Sequence, residues 1–184
     1  MGRPKQLLPL GDKPVIRHCL DAILAADIRD IVVVAGAHNA ALAEVLRGTP
    51  AQMVQNDDPD SQMADSVRTG LHALKDVFSG VLVCLSDHPL VQTETIKAVV
   101  SRHNEEPDCI LIPAYRGKRG HPGLFPREII GELVFGKTLL DLIRKDDRRV
   151  EVLDVPDEGI MLNMNTDEDY RRVCEKFNLI NRIT

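Results

Sequence analysis

The 184-residue sequence has no tryptophan, two tyrosines and four phenylalanines. So few aromatic rings leave little surface on which bases could stack. Nor is there a surplus of basic charge, since 23 Lys and Arg stand against 28 Asp and Glu, a formal net charge of -5. A nucleic-acid-binding surface needs a basic stripe to neutralise phosphates, so nucleic acid is not expected as a partner. A local cationic pocket for one small phosphate ligand stays open. No apolar window approaches the length that spans a bilayer, and Met1-Gly2-Arg3-Pro4-Lys5-Gln6 does not lead into the apolar stretch of a signal peptide. A membrane is therefore not expected as a partner either. The four cysteines, Cys19, Cys84, Cys109 and Cys174, form no CxxC pair and no metal-finger spacing. Cys19 and Cys84 lie in apolar stretches that read as core, which predicts reduced, buried thiols in a cytoplasmic protein. The six histidines show neither HExxH nor HxH, which argues against zinc. No serine sits in a G-x-S-x-G elbow, which removes support for a hydrolase triad.

What is present is an ordinary globular composition, 43% hydrophobic and 28% charged, in a chain of single-domain length, so residues 1–184 are expected to form one domain. Apolar patterning alternates between short β-rich runs and helical periods. Val15, Ile16, Cys19, Leu20, Ile23 and Leu24 recur at helical spacing behind Pro14. Ile31–Val34 reads as a buried strand, 40–46 as a helix, 52–55 as a short strand and 63–74 as a helix. Val81–Leu85 does not alternate, which predicts a strand buried on both faces. A helix over 93–101 with Thr93 as its cap precedes a strand over 109–112. Gly117–Phe125 reads as a Gly-rich loop entering a short strand. Helices follow over 127–133 and 138–144, then a strand over 150–155 and a closing helix over 167–177 capped by Thr166. Strands alternating with helices predict an α/β fold with a mostly parallel sheet.

Ligands of open α/β sheets bind at the carboxyl ends of the strands. The positions to inspect are therefore Ala35-Gly36-Ala37-His38, Asn56-Asp57-Asp58, Ser86-Asp87-His88-Pro89 and the loop from Tyr115 to His121. Asp87 directly follows the most apolar strand, where its carboxylate can meet a hard cation such as Mg2+; an Asx turn leading into Pro89 is the competing reading. Asp57 and Asp65 read as plain surface acids. Lys5 suits a phosphate-facing turn, although composition alone favours a frayed, solvated terminus. In Gly117-Lys118-Arg119-Gly120-His121-Pro122-Gly123 the glycines permit close backbone approach and three side chains can carry positive charge, while a simple hairpin turn is the alternative. The mixed-sign run Arg144–Arg149 reads as a solvated face.

Taken in order, these pieces resemble the molybdenum-cofactor nucleotidyltransferases, in particular the cytidylyltransferase branch of the molybdopterin-guanine-dinucleotide synthase-like superfamily. Met1-Gly2-Arg3-Pro4-Lys5-Gln6-Leu7-Leu8-Pro9-Leu10 is similar to the second half of the N-terminal signature A-A-G-x-S-x-R-M-G-x-x-K. Val32-Val33-Val34-Ala35-Gly36-Ala37 resembles the strand that leads to the base pocket. Asn56 with Met63-Ala64-Asp65-Ser66-Val67-Arg68 is similar to N-P…G-M-A-x-S-L, Leu85-Ser86-Asp87-His88-Pro89 to the D-Q-P motif, and Arg119-Gly120-His121-Pro122-Gly123-Leu124-Phe125 to R-G-H-P-x-L-F.

The resemblance implies a Rossmann-like nucleotidyltransferase that transfers CMP, or GMP, from CTP or GTP to molybdopterin and releases pyrophosphate, with Mg2+ as cofactor. Under it Lys5 and Asp87 are catalytic, and Lys5, Ala35, Gly36, Asn56, Ser66 and Asp87 bind the nucleotide. Arg119, Gly120 and His121 face the acceptor, Asp87 and Asn165 hold the metal, and a molybdoenzyme or its chaperone is an expected partner. Departures from the pattern are specific. Asn163-Met164-Asn165-Thr166 stands where the family has D-I-D-T, so one ligand charge is lost; one charge pair at about 4 Å and an effective dielectric near 20 is worth about 4 kcal/mol before desolvation. Gln62 replaces a usual Gly, and Val134-Phe135-Gly136-Lys137 lacks the acidic turn G-D-x-G. Met1 falls at the signature's internal Met, so the family's first strand and Gly-rich phosphate loop are expected to be missing, leaving two strands without a ladder partner and a gap in the core. That pattern implies a start assigned too late or a truncated, impaired protein. Other readings carried forward are a non-catalytic molybdopterin- or nucleotide-binding module, and a nucleotidyltransferase for another phosphorylated small molecule.

Overall fold

Pro14 fixes the backbone at the entry to α1 (Val15–Ala25), whose Val15, Ile16, Leu20 and Ile23 form one buried stripe. The computed structural model describes residues 4–36, 39–58, 60–75, 77–134 and 136–183. Of the sequence motifs, Met1–Arg3, Ala37, His38 and Phe135 lie outside the described residues. Ahead of α1, a 3-10 turn at Lys5–Leu7 enters the antiparallel pair β1 (Pro9–Leu10) and β2 (Lys13–Pro14). Gly11 turns between them with a φ of 63°, and a Cβ there would meet the Phe177 ring at 2.7 Å. Only glycine suits both the backbone and the close approach.

Two sheets follow. β3 (Val32–Ala35) and β4 (Gln52–Gln55) pair in parallel across α2 (Ala40–Leu46), one βαβ unit. The larger sheet begins at β5 (Gly80–Val83), after α3 (Met63–Ala73). It continues through β6 (Ile110–Tyr115), β7 (Lys118–Arg119), β8 (Gly123–Pro126) and β9 (Val150–Asp154), with α4 (Thr93–Glu105) between β5 and β6. β8 runs antiparallel to both β5 and β6, and β9 runs parallel to β6. The α/β class is as expected. The sheet is mixed rather than mostly parallel, because the hairpin from β6 into β7 returns the chain as β8 between β5 and β6. That hairpin turns on Arg116 and Gly117, with φ of 50° and 74°. Positive φ at both central residues is what a two-residue hairpin between twisted strands requires.

β6 shows why a continuous apolar run marks a strand covered on both faces. Ile110 and Ile112 pack with Ala64 of α3 and with Phe125, Ile129 and Leu142, whereas Leu111 packs with Val99 of α4 and Leu124. The remaining helices are α5 (Arg127–Ile130), α6 (Leu139–Lys145) and α7 (Asp167–Ile183). Thr138 caps α6, accepting from the Asp141 amide. Thr166 Oγ1 accepts from the Asp169 amide at 3.1 Å, so the expected cap of the closing helix is present. α7 lays Val173, Cys174 and Phe177 over Leu8, Leu10 and Met164, closing the core around the first turn.

Three expectations are corrected. Thr93 does not cap α4, since the cap is Gln92, and Thr95 Oγ1 and the Gln92 amide both donate to the buried Asp157 carboxylate at 2.8 Å. A distant carboxylate has taken over the polar groups at that helix start. The strand expected over 81–85 spans Gly80–Val83 and is half-buried throughout. Cys19 and Cys84 are unpaired, as expected, but half-buried rather than deep in the core. One cause explains the last two findings: an apolar cavity of about 530 Å3 lies between β3 and β5, and Val81, Leu82, Val83, Cys19 and Cys84 border it. Among the described residues no helix is long and apolar enough to cross a membrane.

Candidate functional site

The site is assembled from three turns that converge on Asp87. β5 ends at Val83, and four residues later Asp87 emerges with its residue 8% exposed. The 3-10 turn at Lys5–Leu7 brings the Lys5 ammonium to 2.6 Å from Asp87 Oδ2. The same ammonium donates to Asn165 Oδ1 at 2.8 Å, from the turn just before α7. Residues 82 and 160 positions apart in the chain thus meet around one cation. On its other oxygen, Asp87 Oδ1 lies 3.0 Å from His88 Nδ1. Burial opposes ionisation of Asp87, but the hydrogen bonds from His88 and Lys5 and the Lys5 charge outweigh it, holding the carboxyl well below the usual carboxylate range.

His88 is buried and meets His121 edge-on, with ring centroids 5.2 Å apart. Burial, and then the neighbouring His88, push the His121 imidazole below its ordinary value. His121 is held by its own backbone, whose amide donates to the Ile160 carbonyl at 3.1 Å. Gly120 makes that approach feasible, because a Cβ there would stand 2.5 Å from the Ile160 carbonyl oxygen. The turn that carries Ile160 is in turn fixed by Asp157, which is 1% exposed and accepts from the Gly159 amide as well as from Gln92 and Thr95. Gly159 itself fits against the Leu90 carbonyl, where a Cβ would fall at 2.0 Å.

The predicted residues therefore divide. Lys5, Asp87, Asn165 and His121 lie in one contiguous cluster. Asn56 and Ser66 meet each other, Nδ2 to Oγ at 3.4 Å, at the start of α3, and the Ala35 carbonyl accepts from the Asn56 amide at 2.8 Å. Ala35 is buried and Gly36 exposed just beyond β3. Ser66 and Ser86 border the same cavity, so this second group faces the Asp87 turn across it. Arg119 does not join: it is exposed on β7 and, among the described residues, forms no hydrogen bond with Asp87, His88 or His121. Both residues of β7 are exposed at the hairpin, whereas the backbone of the next two is tied inward, the Gly120 amide donating to the Pro113 carbonyl and the His121 amide to the Ile160 carbonyl. Asp65 behaves as the plain helix acid it was read to be, accepting from the Gln62 amide at 2.8 Å and pairing with Arg68. Gln62 thus serves as the helix cap in place of the family's Gly. Sequence reasoning missed two participants: His88, named only as part of a motif, and Asp157. Pro156-Asp157-Glu158-Gly159 is a turn signature that could have flagged the second.

The donor set fits a hard cation in one respect. Asp87 and Asn165 present oxygens to a single point, which the Lys5 ammonium shares. Only one of them carries charge, and among the described residues no three His, Cys, Asp or Glu side chains gather as a metal centre. A cation there would need further oxygens from a bound phosphate.

A lysine, a depressed carboxylate and an amide oxygen thus meet beside a mixed α/β sheet. Residues 1–148 match the family described as MobA-like NTP transferase domain, and the chain belongs to it. It is 33% identical over 107 residues to the bifunctional protein GlmU of Mycolicibacterium paratuberculosis, a match that covers 54% of this chain and 22% of that protein. Among solved structures, Rv0371c from Mycobacterium tuberculosis H37Rv superposes with a TM-score of 0.79 at 30% identity, covering 95% of this chain and 91% of that one. A second structure of Rv0371c is a complex with manganese, with a TM-score of 0.78 at 29% identity. A nucleotidyl transferase from Methanothermobacter shares the fold, with a TM-score of 0.82 at 24% identity over 96% of this chain and 86% of its own.

Proposed function

We propose that this nucleotidyltransferase passes CMP from CTP, or GMP from GTP, to the terminal phosphate of molybdopterin. A phosphate oxygen of the acceptor attacks the α-phosphorus, the bond from that phosphorus to the β-phosphate oxygen breaks, and pyrophosphate leaves. The observation that carries this reading is the convergence of Lys5, Asp87 and Asn165, since phosphoryl-group transfer is mostly positioning and charge neutralisation. Lys5, released from Asp87 by an incoming phosphate, binds and orients it as a point charge. Asp87 and Asn165 would hold a divalent cation, Mg2+ or Mn2+, which supplies Lewis-acid neutralisation when bound; the manganese complex of Rv0371c supports a divalent ion here. Asn56 and Ser66 with the Ala35-Gly36 backbone bind the nucleotide. Gly120 and His121, and more peripherally Arg119, meet the acceptor, and the R-G-H-P motif favours CTP. A molybdoenzyme or its chaperone would receive the product.

The test mixes the protein with CTP or GTP, molybdopterin and Mg2+ or Mn2+, and measures pyrophosphate. CTP-dependent release that disappears in Asp87→Asn supports the reading. Undiminished release in that variant removes Asp87 from the mechanism, and release only with another phosphorylated acceptor replaces molybdopterin. The second reading, a module that binds molybdopterin or nucleotide without transfer, is favoured by Asn165 standing where a second carboxylate is expected. Tight pterin binding with no pyrophosphate from either nucleotide would select it.

A further inference from the structure

The geometry points to His88 as a positioning residue for Asp87: its imidazole Nδ1–H fixes one carboxylate oxygen, so that the other stays aimed at the cation and the phosphate. This rests on the proposed reading in which Asp87 holds a divalent cation. Side chains of consecutive residues point apart in a strand, so a bond between residues 87 and 88 needs a turn. The turn is present, since the His88 amide donates to the Leu85 carbonyl at 3.3 Å, three residues back. The two side chains then meet, His88 Nδ1 lying 3.0 Å from Asp87 Oδ1. An ionised carboxylate only accepts hydrogen bonds, so Nδ1 carries the proton.

The two partners of Asp87 differ in what they can do. Lys5 reaches in from the surface on a flexible stem, its side chain 35% exposed. It is the partner that an incoming phosphate draws away. The His88 side chain is 6% exposed and is held on all sides. Its ring packs edge-on against His121, with ring planes 63° apart, and the His121 amide is tied to the Ile160 carbonyl. The space left beside the two rings, bordered by Cys19, Val91, Ile96 and Pro122, is about 20 Å3, far less than an imidazole needs to turn over. The last side-chain torsion of an aspartate is soft, so a carboxylate that lost both partners would rotate freely. With His88 in place, Oδ1 stays anchored when Lys5 leaves. Oδ2 then keeps facing the point that the Lys5 ammonium shares with Asn165. Hydrogen bonds of this kind, made behind a carboxylate that holds a metal, orient it and set its affinity.

The test reads Mn2+ binding to the intact protein by calorimetry, without nucleotide or acceptor, in the parent and in variants. His88→Leu keeps an apolar body and removes the donor. His88→Asn places an amide N–H the same number of bonds from the backbone as Nδ1. Mn2+ affinity should fall by about 10–100-fold in His88→Leu, and His88→Asn should recover most of that loss. Equal losses in both variants would make the ring a space-filler and overturn the inference, as would no loss in His88→Leu. A nitrogen NMR spectrum of the imidazole in the parent protein decides the matter if His88→Leu does not fold. A proton on Nδ1, with and without Mg2+, is expected; a proton on Nε2 alone overturns the donor role. Asp87→Asn separates the two levels of the argument. Affinity that falls in Asp87→Asn but not in His88→Leu sinks the positioning role and leaves the cation at Asp87. Affinity indifferent to Asp87→Asn removes the cation from Asp87, and with it the reading on which the role of His88 rests.

Discussion

Both carboxylate oxygens of Asp87 are engaged: one accepts from Lys5, the other meets His88, and the residue is almost buried. Replacing it with Asn keeps the shape and removes the charge that holds the Lys5 ammonium, so Asp87→Asn is expected to lower pyrophosphate release by at least about 100-fold while the far-UV circular dichroism is unchanged, on the scale typical of removing one preorganised electrostatic group. Asn165 tests the opposite change. Asn165→Asp adds a second carboxylate around the point that Lys5 shares, and Mn2+ affinity followed by calorimetry should rise by about tenfold or more, well within what one added charge pair at an intermediate dielectric supplies. An unchanged affinity would place the cation elsewhere. Lys5 and Asp87 were both legible as residues, the first from its place in a signature and the second from its position after an apolar strand. Their contact was not, because 82 positions of chain separate them and no local pattern encodes the approach.

Among the elements, the turns that present His121 depend on packing too tight for a side chain. Gly120→Ala would set a Cβ against the Ile160 carbonyl, backbone that cannot swing aside, and is expected to cost about 1–3 kcal/mol in a urea melt. Asp157→Ala would leave the Gln92 and Gly159 amides and the Thr95 hydroxyl without their acceptor inside the protein, at about 3 kcal/mol. Because the same turn fixes His121 through Ile160, both variants should also weaken binding of the acceptor more than binding of the nucleotide. Equal losses for the two ligands would separate this turn from the acceptor side. Helix positions were readable because a 3.6-residue stripe and a capping Thr are local features, as α6 and α7 show. The start of α4 was misread for the opposite reason: its polar partner, Asp157, lies more than 60 residues away.

For the molecule as a whole, pH dependence follows from groups whose neutral or charged form the fold selects. Burial lowers His103, and burial with the neighbouring His88 lowers His121, so both prefer to be neutral when folded. A depressed folded value means that their contribution is complete above the unfolded value of about 6.5 and is lost as pH falls below it. Asp87 is depressed as a carboxyl, so its contribution is complete above about pH 4 and is lost as pH falls further. The melting temperature should therefore decline in two stages between pH 8 and pH 3, the first beginning near 6.5. A melting temperature flat from pH 8 to pH 5 contradicts the histidine stage. The cavity between the two sheets belongs to this scale too, since it involves β3, β5 and three helices at once.

Local chemistry accounts for most of what was readable from residues alone: the α/β class, the strand at 52–55, the helix at 40–46 and the turn after the apolar run that ends near Asp87. Those depend on periodicity, caps and turn residues within a few positions of each other. Folding in three dimensions decided that Arg119 points away from the site while His121 meets His88, that Asp157 rather than Thr93 serves the start of α4, and that the strand over 80–83 is only half covered. Each of these depends on which edge, face or turn lies opposite, and the chain brings such partners together only through packing between residues tens of positions apart.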